Sequence, residues 1–356
     1  MAGQVETAKP SRIPLMANDK RGGEKILHGR DDLAGECLGN GKSCCPVWCR
    51  HGWGDRVYWQ QTRCRQRSRC GNWDESDEIH RGAGQMQRTP FWMVPLVICW
   101  MTSLASNAAE KQLLLLGQGP DGHPRLTHEY RAGVRVVARC LESHPGIKLR
   151  VASADGSWPE GPDLIRQADG VVLFLSEGAK WIQEDSRRFQ AFAQLAQRQG
   201  GLVVLHWGMG TRPANYIDRF LQLFGACHGG QDRKYQVVQR VAQITRPAHP
   251  VTTGIKDFDI RDEFYYRLKR VRSAAPPTPL LTVPIDGRRE MVSWAWQRPD
   301  GGRSFGFSGL HFHENWARIE YRRLVVQGVL WTLQMPIPAN GLAVEITAED
   351  LQLKRP

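Results

Sequence analysis

Five stretches of this chain set titratable side chains against glycine- or proline-rich turns, and chemistry is to be sought there first. One runs from a glycine-rich turn to His123, His128, Glu129 and Tyr130; a second is Ser176-Glu177-Gly178; a third is His206 at the end of an apolar run. The fourth is Arg261-Asp262-Glu263-Phe264-Tyr265-Tyr266, and the fifth Gly309-Leu310-His311-Phe312-His313-Glu314-Asn315-Trp316. Imidazoles and carboxylates carry protons near neutral pH and ligate metals, while Trp207 and Trp316 offer faces for stacking a ring. In an extended segment His311 and His313 would point to one face, an arrangement suited to a metal or to clamping sugar hydroxyls, with no third ligand in the same local motif.

Each stretch has a plainer reading beside the chemical one. His123 in Pro-Asp-Gly-His-Pro reads equally as a turn residue, His128 as a surface residue at a helix start, and Glu177 as a cap for the helix that follows. Asp262 and Glu263 together read as a solvated turn, and His206 as a histidine that merely closes a strand.

The elements around these residues favour convergence. Gly200-Gly201-Leu202-Val203-Val204-Leu205 reads as a buried parallel strand that delivers His206 at its carboxyl end. Residues 112–116, 148–152 and 170–175 read as three further strands, the last wholly apolar. Residues 127–142, 186–199 and 213–224 read as amphipathic helices, the last closed by Gly225. This alternation forces right-handed crossovers and a parallel sheet, and ligands of such sheets collect beyond the carboxyl ends of the strands. The first, third and fourth of these strands therefore end on one rim. Residues 236–241, 280–283, 291–296 and 303–307 read as later strands that extend the sheet in mixed fashion, before a closing helix over 319–333. A strand running into a small-residue turn is where a nucleophile elbow would expose Ser or Cys. His206 occupies that place, and neither Cys140 nor Cys227 follows a strand in this way, which disfavours thioester chemistry.

Composition narrows the class. The chain has 356 residues, 41% hydrophobic, with a formal net charge of +12 and a sequence pI near 9.5. The dense basic runs, Arg63 to Arg69 and Arg267 to Arg272, sit in no nucleic-acid module, so nucleic acid is not an expected partner. Six of the nine cysteines lie between Cys37 and Cys70 without the paired spacing of a zinc ribbon. Gly117-x-Gly119 is followed by proline rather than a helix, which argues against a nucleotide cofactor.

Residues 1–85 show no sustained periodicity and read as disordered or as preceding the true start. Met86 opens a short basic region, an apolar run over 91–104 and small residues at 106–109, the layout of a secretory signal peptide over 86–109. The expected location is secreted or periplasmic, with membrane contact only through that segment or a short anchor. A single domain is expected over 110–340, and a tail over 341–356.

Four motifs in order carry a resemblance. They are Gly117-Gln118-Gly119-Pro120-Asp121-Gly122-His123-Pro124 with Thr127-His128-Glu129-Tyr130, then Gly201 to His206, then Asp262 to Tyr266, then Gly302 to His311. Together they resemble the ThuA-like (trehalose-utilisation) family over roughly residues 111–338. The resemblance implies a three-layer α/β sandwich with a mostly parallel, flavodoxin-like or class I glutamine amidotransferase-like sheet, carrying a histidine where glutaminases carry cysteine. It also implies a role in carbohydrate metabolism, on a disaccharide or keto-sugar.

On that expectation His206 and His311 share acid–base or metal-binding work, with Glu177 or Glu263 orienting them or acting as base. His123, His128, Tyr130, Trp207, Asp262, His313 and Trp316 would contact the sugar. Two further readings stay open: a non-catalytic carbohydrate-binding module, and a metal-dependent hydrolase with ligands among His123, His128, His206, His311 and His313. A divalent metal is thus the one cofactor in view.

Overall fold

The computed structural model describes residues 110–353 in full, and the backbone of residues 47–53 and 56–62. The expectations for the rest of the first 109 residues, the signal peptide included, lie outside the described residues. The chain divides into two compact units, Met1–Val97 and Ile98–Pro356. In the first unit, β1 (Val47–Trp53) and β2 (Arg56–Thr62) pair antiparallel, in a region where the sequence shows no sustained strand periodicity.

The second unit is a mixed α/β fold. Its elements run β3 (Lys111–Gly117), α1 (Tyr130–Leu141), β4 (Ile147–Ser153), α2 (Gly161–Gln167), β5 (Gly170–Phe174), α3 (Gly178–Glu184), α4 (Ser186–Gln197) and β6 (Gly201–Leu205). Then come β7 (Gly210–Thr211), α5 (Ile217–Phe224), β8 (Ala226–Gly229), β9 (Lys234–Ile244), β10 (Phe258–Tyr266) and β11 (Lys269–Arg270). The chain closes with β12 (Thr278–Ile285), β13 (Arg288–Gln297), β14 (Arg303–Phe307) and α6 (Ile319–Thr332).

Nine of these strands form one sheet in the order β10-β9-β12-β13-β14-β6-β5-β3-β4. From β14 to β4 neighbouring strands pair parallel, while β10 to β14 pair antiparallel. The parallel core is what its sequence requires. Every residue of β5 and of β6 is buried, as unbroken apolar strands must be when both faces are covered. α1 packs on β3, β4 and α6, and α6 packs on β6 and β14. α2 packs on α4, which in turn touches β6 and α5.

Several boundaries differ from the sequence expectation, each for a local reason. The helix expected from residue 127 begins at Tyr130, because Thr127 bridges to Phe312 and His128 takes φ 54°. The helix expected from 213 opens as a 3-10 turn, Ala214–Tyr216, before α5. Gly225 closes it at φ 83°, where a side chain would be strained. Asp262 and Glu263, weighed as a solvated turn, lie inside β10, paired along its length with β9.

Candidate functional site

The parallel strands end on one rim, and four of the five stretches meet there. The loop after β3 brings His123 and His128, the end of β6 brings His206, the loop after β14 brings His311, and β10 reaches over with Glu263. Two loops are locked to each other by backbone. The His128 N–H donates to the His311 carbonyl at 3.0 Å, and the His313 N–H donates to the Leu126 carbonyl at 2.8 Å. This clasp holds the His128 and His311 rings together, although the residues stand 183 apart in sequence.

His206 follows β6 at φ 45°, in the left-handed region. A non-glycine residue there is a strained feature that surrounding structure must impose. The turn that follows is closely packed: a Cβ at Gly178 would lie 2.0 Å from the Gly208 carbonyl oxygen. His206 is fully buried, with Nδ1 2.8 Å from the Ser308 carbonyl. A carbonyl only accepts, so Nδ1 carries the proton and Nε2 presents a lone pair.

That Nε2 lies 3.0 Å from His128 Nε2 and 3.0 Å from the Tyr265 hydroxyl. His128 Nδ1 lies 2.9 Å from Asp121 Oδ2, which also accepts from the Tyr130 hydroxyl at 2.6 Å. His128 Nε2 is 3.0 Å from His311 Nδ1. Glu263 Oε1 stands 3.5 Å from His311 Nδ1 and 3.9 Å from His206 Nε2. Ligand atoms of His128, His206, His311 and Glu263 all fall within 4.8 Å of one another, as do those of Asp121, His123 and His128.

Burial sets the electrostatics. It lowers the His206 ring far below the usual imidazole range, helped by the neighbouring His128 and His311. It lowers His128 as well, and with the neighbouring His128 and His123 brings His311 down to about 4. Removal from water also raises Glu263 to about 7, with the Asp262 charge adding to it. Burial would raise Asp121 too, but the bonds from His128 and Tyr130 overcome that and hold its carboxyl well below the usual range. These are neutral imidazoles among carboxyl groups, a set built to take up a cation or to pass protons.

The cleft above the cluster measures about 130 Å³, and its walls add Trp207, Arg212, His228, Arg233, Tyr235 and Tyr265. Tyr265 is stacked between His206 and His228, with centroids 4.5 and 3.9 Å away. Trp207 meets His228 and Tyr265 edge-on and is 4% exposed, so only a corner of its ring faces the cleft.

Other expected site residues lie elsewhere. Asp262 is fully buried on the opposite face of β10 from Glu263, because side chains alternate along a strand. It accepts from the backbone of Leu310 at 2.7 Å and His311 at 3.2 Å, so a direct substrate contact is at odds with its position. His311 and His313 do not share a face either. The chain is not extended there: Leu310 takes φ 79° and a 3-10 turn begins at His313. His313 Nε2 is turned to the Leu351 carbonyl at 2.9 Å.

Trp316 is 1% exposed against Phe174, inside the core rather than at the cleft. Tyr130, 1% exposed, supports Asp121 and His128 from below. Glu177 pairs with Arg212 at the cleft wall, accepting from its guanidinium and, at 2.9 Å, from its backbone N–H. It stands outside the cluster. His123 covers the site, its ring 3.7 Å from His128 and its Nδ1 2.7 Å from Asp121 Oδ1.

Sequence reasoning missed Asp121, Tyr265, His228, Arg212, Arg233 and Tyr235. For Tyr265 a signal existed: two residues after Glu263 on a strand, it must share Glu263's face. For the others, no local pattern distinguishes them from ordinary turn and strand residues.

Among solved structures, a ThuA-like protein from Parabacteroides merdae is 15% identical, covering 69% of this chain and 100% of its own with a TM-score of 0.49. A ThuA-like protein from Bacteroides uniformis is 14% identical, covering 63% and 92% with a TM-score of 0.49. PurLQS from Thermotoga maritima is 12% identical, covering 63% and 98% with a TM-score of 0.37. No protein of curated function matches the chain. The family model for ThuA, trehalose utilisation, matches residues 122–332, a span that runs from the loop of His123 and His128 through β14 and His311 into α6, and the chain belongs to that family.

Proposed function

We propose that this protein is an exported enzyme of carbohydrate metabolism that processes a disaccharide or keto-sugar in the His-rich cleft, on a three-layer, amidotransferase-like sandwich. The observation that carries the reading is the meeting of His128, His206, His311 and Glu263 at the carboxyl rim of the parallel strands, where such folds bind their ligands. Family membership supports a carbohydrate substrate. The cleft's size favours partial entry. At about 130 Å³ it is well below the roughly 300–1,000 Å³ of pockets that enclose a whole drug-sized ligand. One ring of a disaccharide would enter and the other would rest on the rim near the exposed Tyr235.

Within the cleft, Glu263 is placed to exchange a proton with a hydroxyl or with a C–H beside a carbonyl. His311, at 11% side-chain exposure, is the ring of the cluster nearest the solvent side. His206, fully enclosed, holds the floor and orders Tyr265. The hydrophobic run over 91–104 supports export.

The test is a screen of disaccharides and their keto derivatives, with and without chelator, on wild type and on His206→Ala and His311→Ala. Turnover should vanish in both variants while their circular dichroism stays native. Full activity in both would remove the assignment.

A further inference from the structure

The geometry points to a resident divalent transition-metal ion held by His128 Nε2, His206 Nε2 and His311 Nδ1, with the Glu263 carboxylate beside it. The strongest observation is a conflict of lone pairs. His206 must carry its proton on Nδ1, because that atom faces the Ser308 carbonyl. His128 must carry its proton on Nδ1, because that atom faces the Asp121 carboxylate. Both Nε2 atoms are then bare, yet they stand 3.0 Å apart. Two lone pairs at that distance repel, and a cation between them removes the repulsion. A second proton on one ring would also remove the repulsion, but both rings are buried. His206 has only a carbonyl at its far nitrogen, and for His128 the Asp121 carboxylate offsets only part of the cost of charging a buried ring.

The separations fit a metal. Zinc–imidazole bonds of about 2.0–2.1 Å place neighbouring donors about 3 Å apart at right angles and about 3.4 Å apart at the tetrahedral angle. The nitrogen atoms show 3.0 Å for His128 to His206 and 3.0 Å for His128 to His311. Glu263 Oε1, at 3.5 and 3.9 Å from two of them, closes the set with a small inward movement. The outer shell is in place as well. A carboxylate or carbonyl on the far nitrogen of a ligating histidine fixes its tautomer and orientation, and Asp121 and Ser308 do this for His128 and His206. Asp121 and Glu263 together set two negative charges around a dication. The second group, Asp121 with His123 and His128, is not a competing site, because its His128 nitrogen is the one already committed to Asp121.

A donor set of three imidazole nitrogens and one carboxylate suits Zn²⁺ and its first-row neighbours, not Mg²⁺ or Ca²⁺, which prefer oxygen. The inference does not rest on the sugar reading. Zinc retained by a protein that turns over no sugar would refute the function and leave the site standing.

The experiment uses the full chain, stripped with chelator, then incubated with Zn²⁺ alone or Mg²⁺ alone and desalted. Bound metal is read by mass spectrometry and stability by thermal unfolding. Wild type should retain one Zn²⁺ per chain beyond any held by the cysteines of the first hundred residues, gain thermal stability, and retain no Mg²⁺. His311→Ala should lose that equivalent, with affinity down at least ~100-fold, and Asp121→Asn should weaken it about 10- to 100-fold. Glu263→Gln, which keeps the shape of the site, should also weaken it and decides the matter if His311→Ala fails to fold. Zinc retention and thermal shift unchanged by His311→Ala or by Glu263→Gln, or no retained zinc in wild type, would overturn the inference.

Discussion

Asp262 is the residue whose removal most directly tests how the cluster is held. Its Oδ2 accepts from the Leu310 N–H at 2.7 Å and the Tyr321 hydroxyl at 3.0 Å. Its Oδ1 accepts from the N–H groups of Glu263 at 2.9 Å, His311 at 3.2 Å and Phe312 at 3.4 Å. The side chain is fully buried, so bulk water does not reach these donors. Asp262→Ala orphans five donors. Each orphaned buried donor costs about 1–3 kcal/mol, and the costs are not additive because the loop relaxes. Counting the two shortest bonds alone gives about 4 kcal/mol, in the range found when one partner of a buried charged interaction is deleted. For a domain of this size that is a fall in Tm of about 8–16 °C. Asp262→Asn keeps the shape, and Tyr321 can turn its hydroxyl to accept from the new amide. The Leu310 N–H then meets a donor, at a cost of about 1–3 kcal/mol. Urea unfolding followed by circular dichroism gives the order wild type, Asn, Ala. Because three of the donors belong to residues 310–312, the His311 ring loosens with them, and zinc retention should fall in the same order. An Asp262→Ala protein within about 1 kcal/mol of wild type would refute this account of the loop.

Two other predictions follow from the same geometry. Gly178→Ala sets a Cβ 2.0 Å from the Gly208 carbonyl, so the turn carrying His206 must shift. The expected loss is about 1–3 kcal/mol with weaker zinc retention, and an unchanged Tm would show that the turn yields freely. His228 is lowered to about 3 by burial and by the charges of Arg233 and Lys269. As pH falls below 6.5, the unfolded chain protonates this ring before the folded one does, so stability declines with falling pH at up to about 1.4 kcal/mol per pH unit. His228→Phe keeps the stack on Tyr265 and should lose about 2 kcal/mol less than wild type between pH 6.5 and about 4.5. Equal acid sensitivity in a pair of urea titrations would exclude His228 as its source.

Much of the scaffold was legible because it is encoded locally. An apolar run such as Gly201–Leu205, bounded by a glycine pair and a histidine, can only be a buried strand or a fragment of buried helix, and its length decides between them. The alternation of such strands with amphipathic helices then dictates a parallel core and puts His206 on its carboxyl rim. The expected strand over residues 303–307 matches β14 in both bounds. Short helices were less legible. α2 and α3, seven residues each, are too brief to show a period, and β10 was obscured by its charged residues, which strand patterns seldom carry.

The site divides along the same line. Sequence by itself determined that His123, His128 and His206 stand on segments that a βα pattern brings to one edge, and marked His311 and Glu263 as candidates without placing them there. The turn after β14 and the antiparallel strand β10 bring those two in only once the chain is folded. Sequence could not determine which way each ring faces. His311 and His313 look equivalent two residues apart, and only the φ of Leu310 and the clasp to Leu126 turn one inward and the other toward Leu351. Asp262 and Glu263 look like one acidic pair, and only pairing in β10 sends them to opposite faces. The protonated nitrogen of each imidazole is chosen by Asp121 and Ser308, residues 7 and 102 positions away in sequence. Hydrogen bonding across such distances has no local signature, so the facing lone pairs at the centre of the site exist only once the chain is folded.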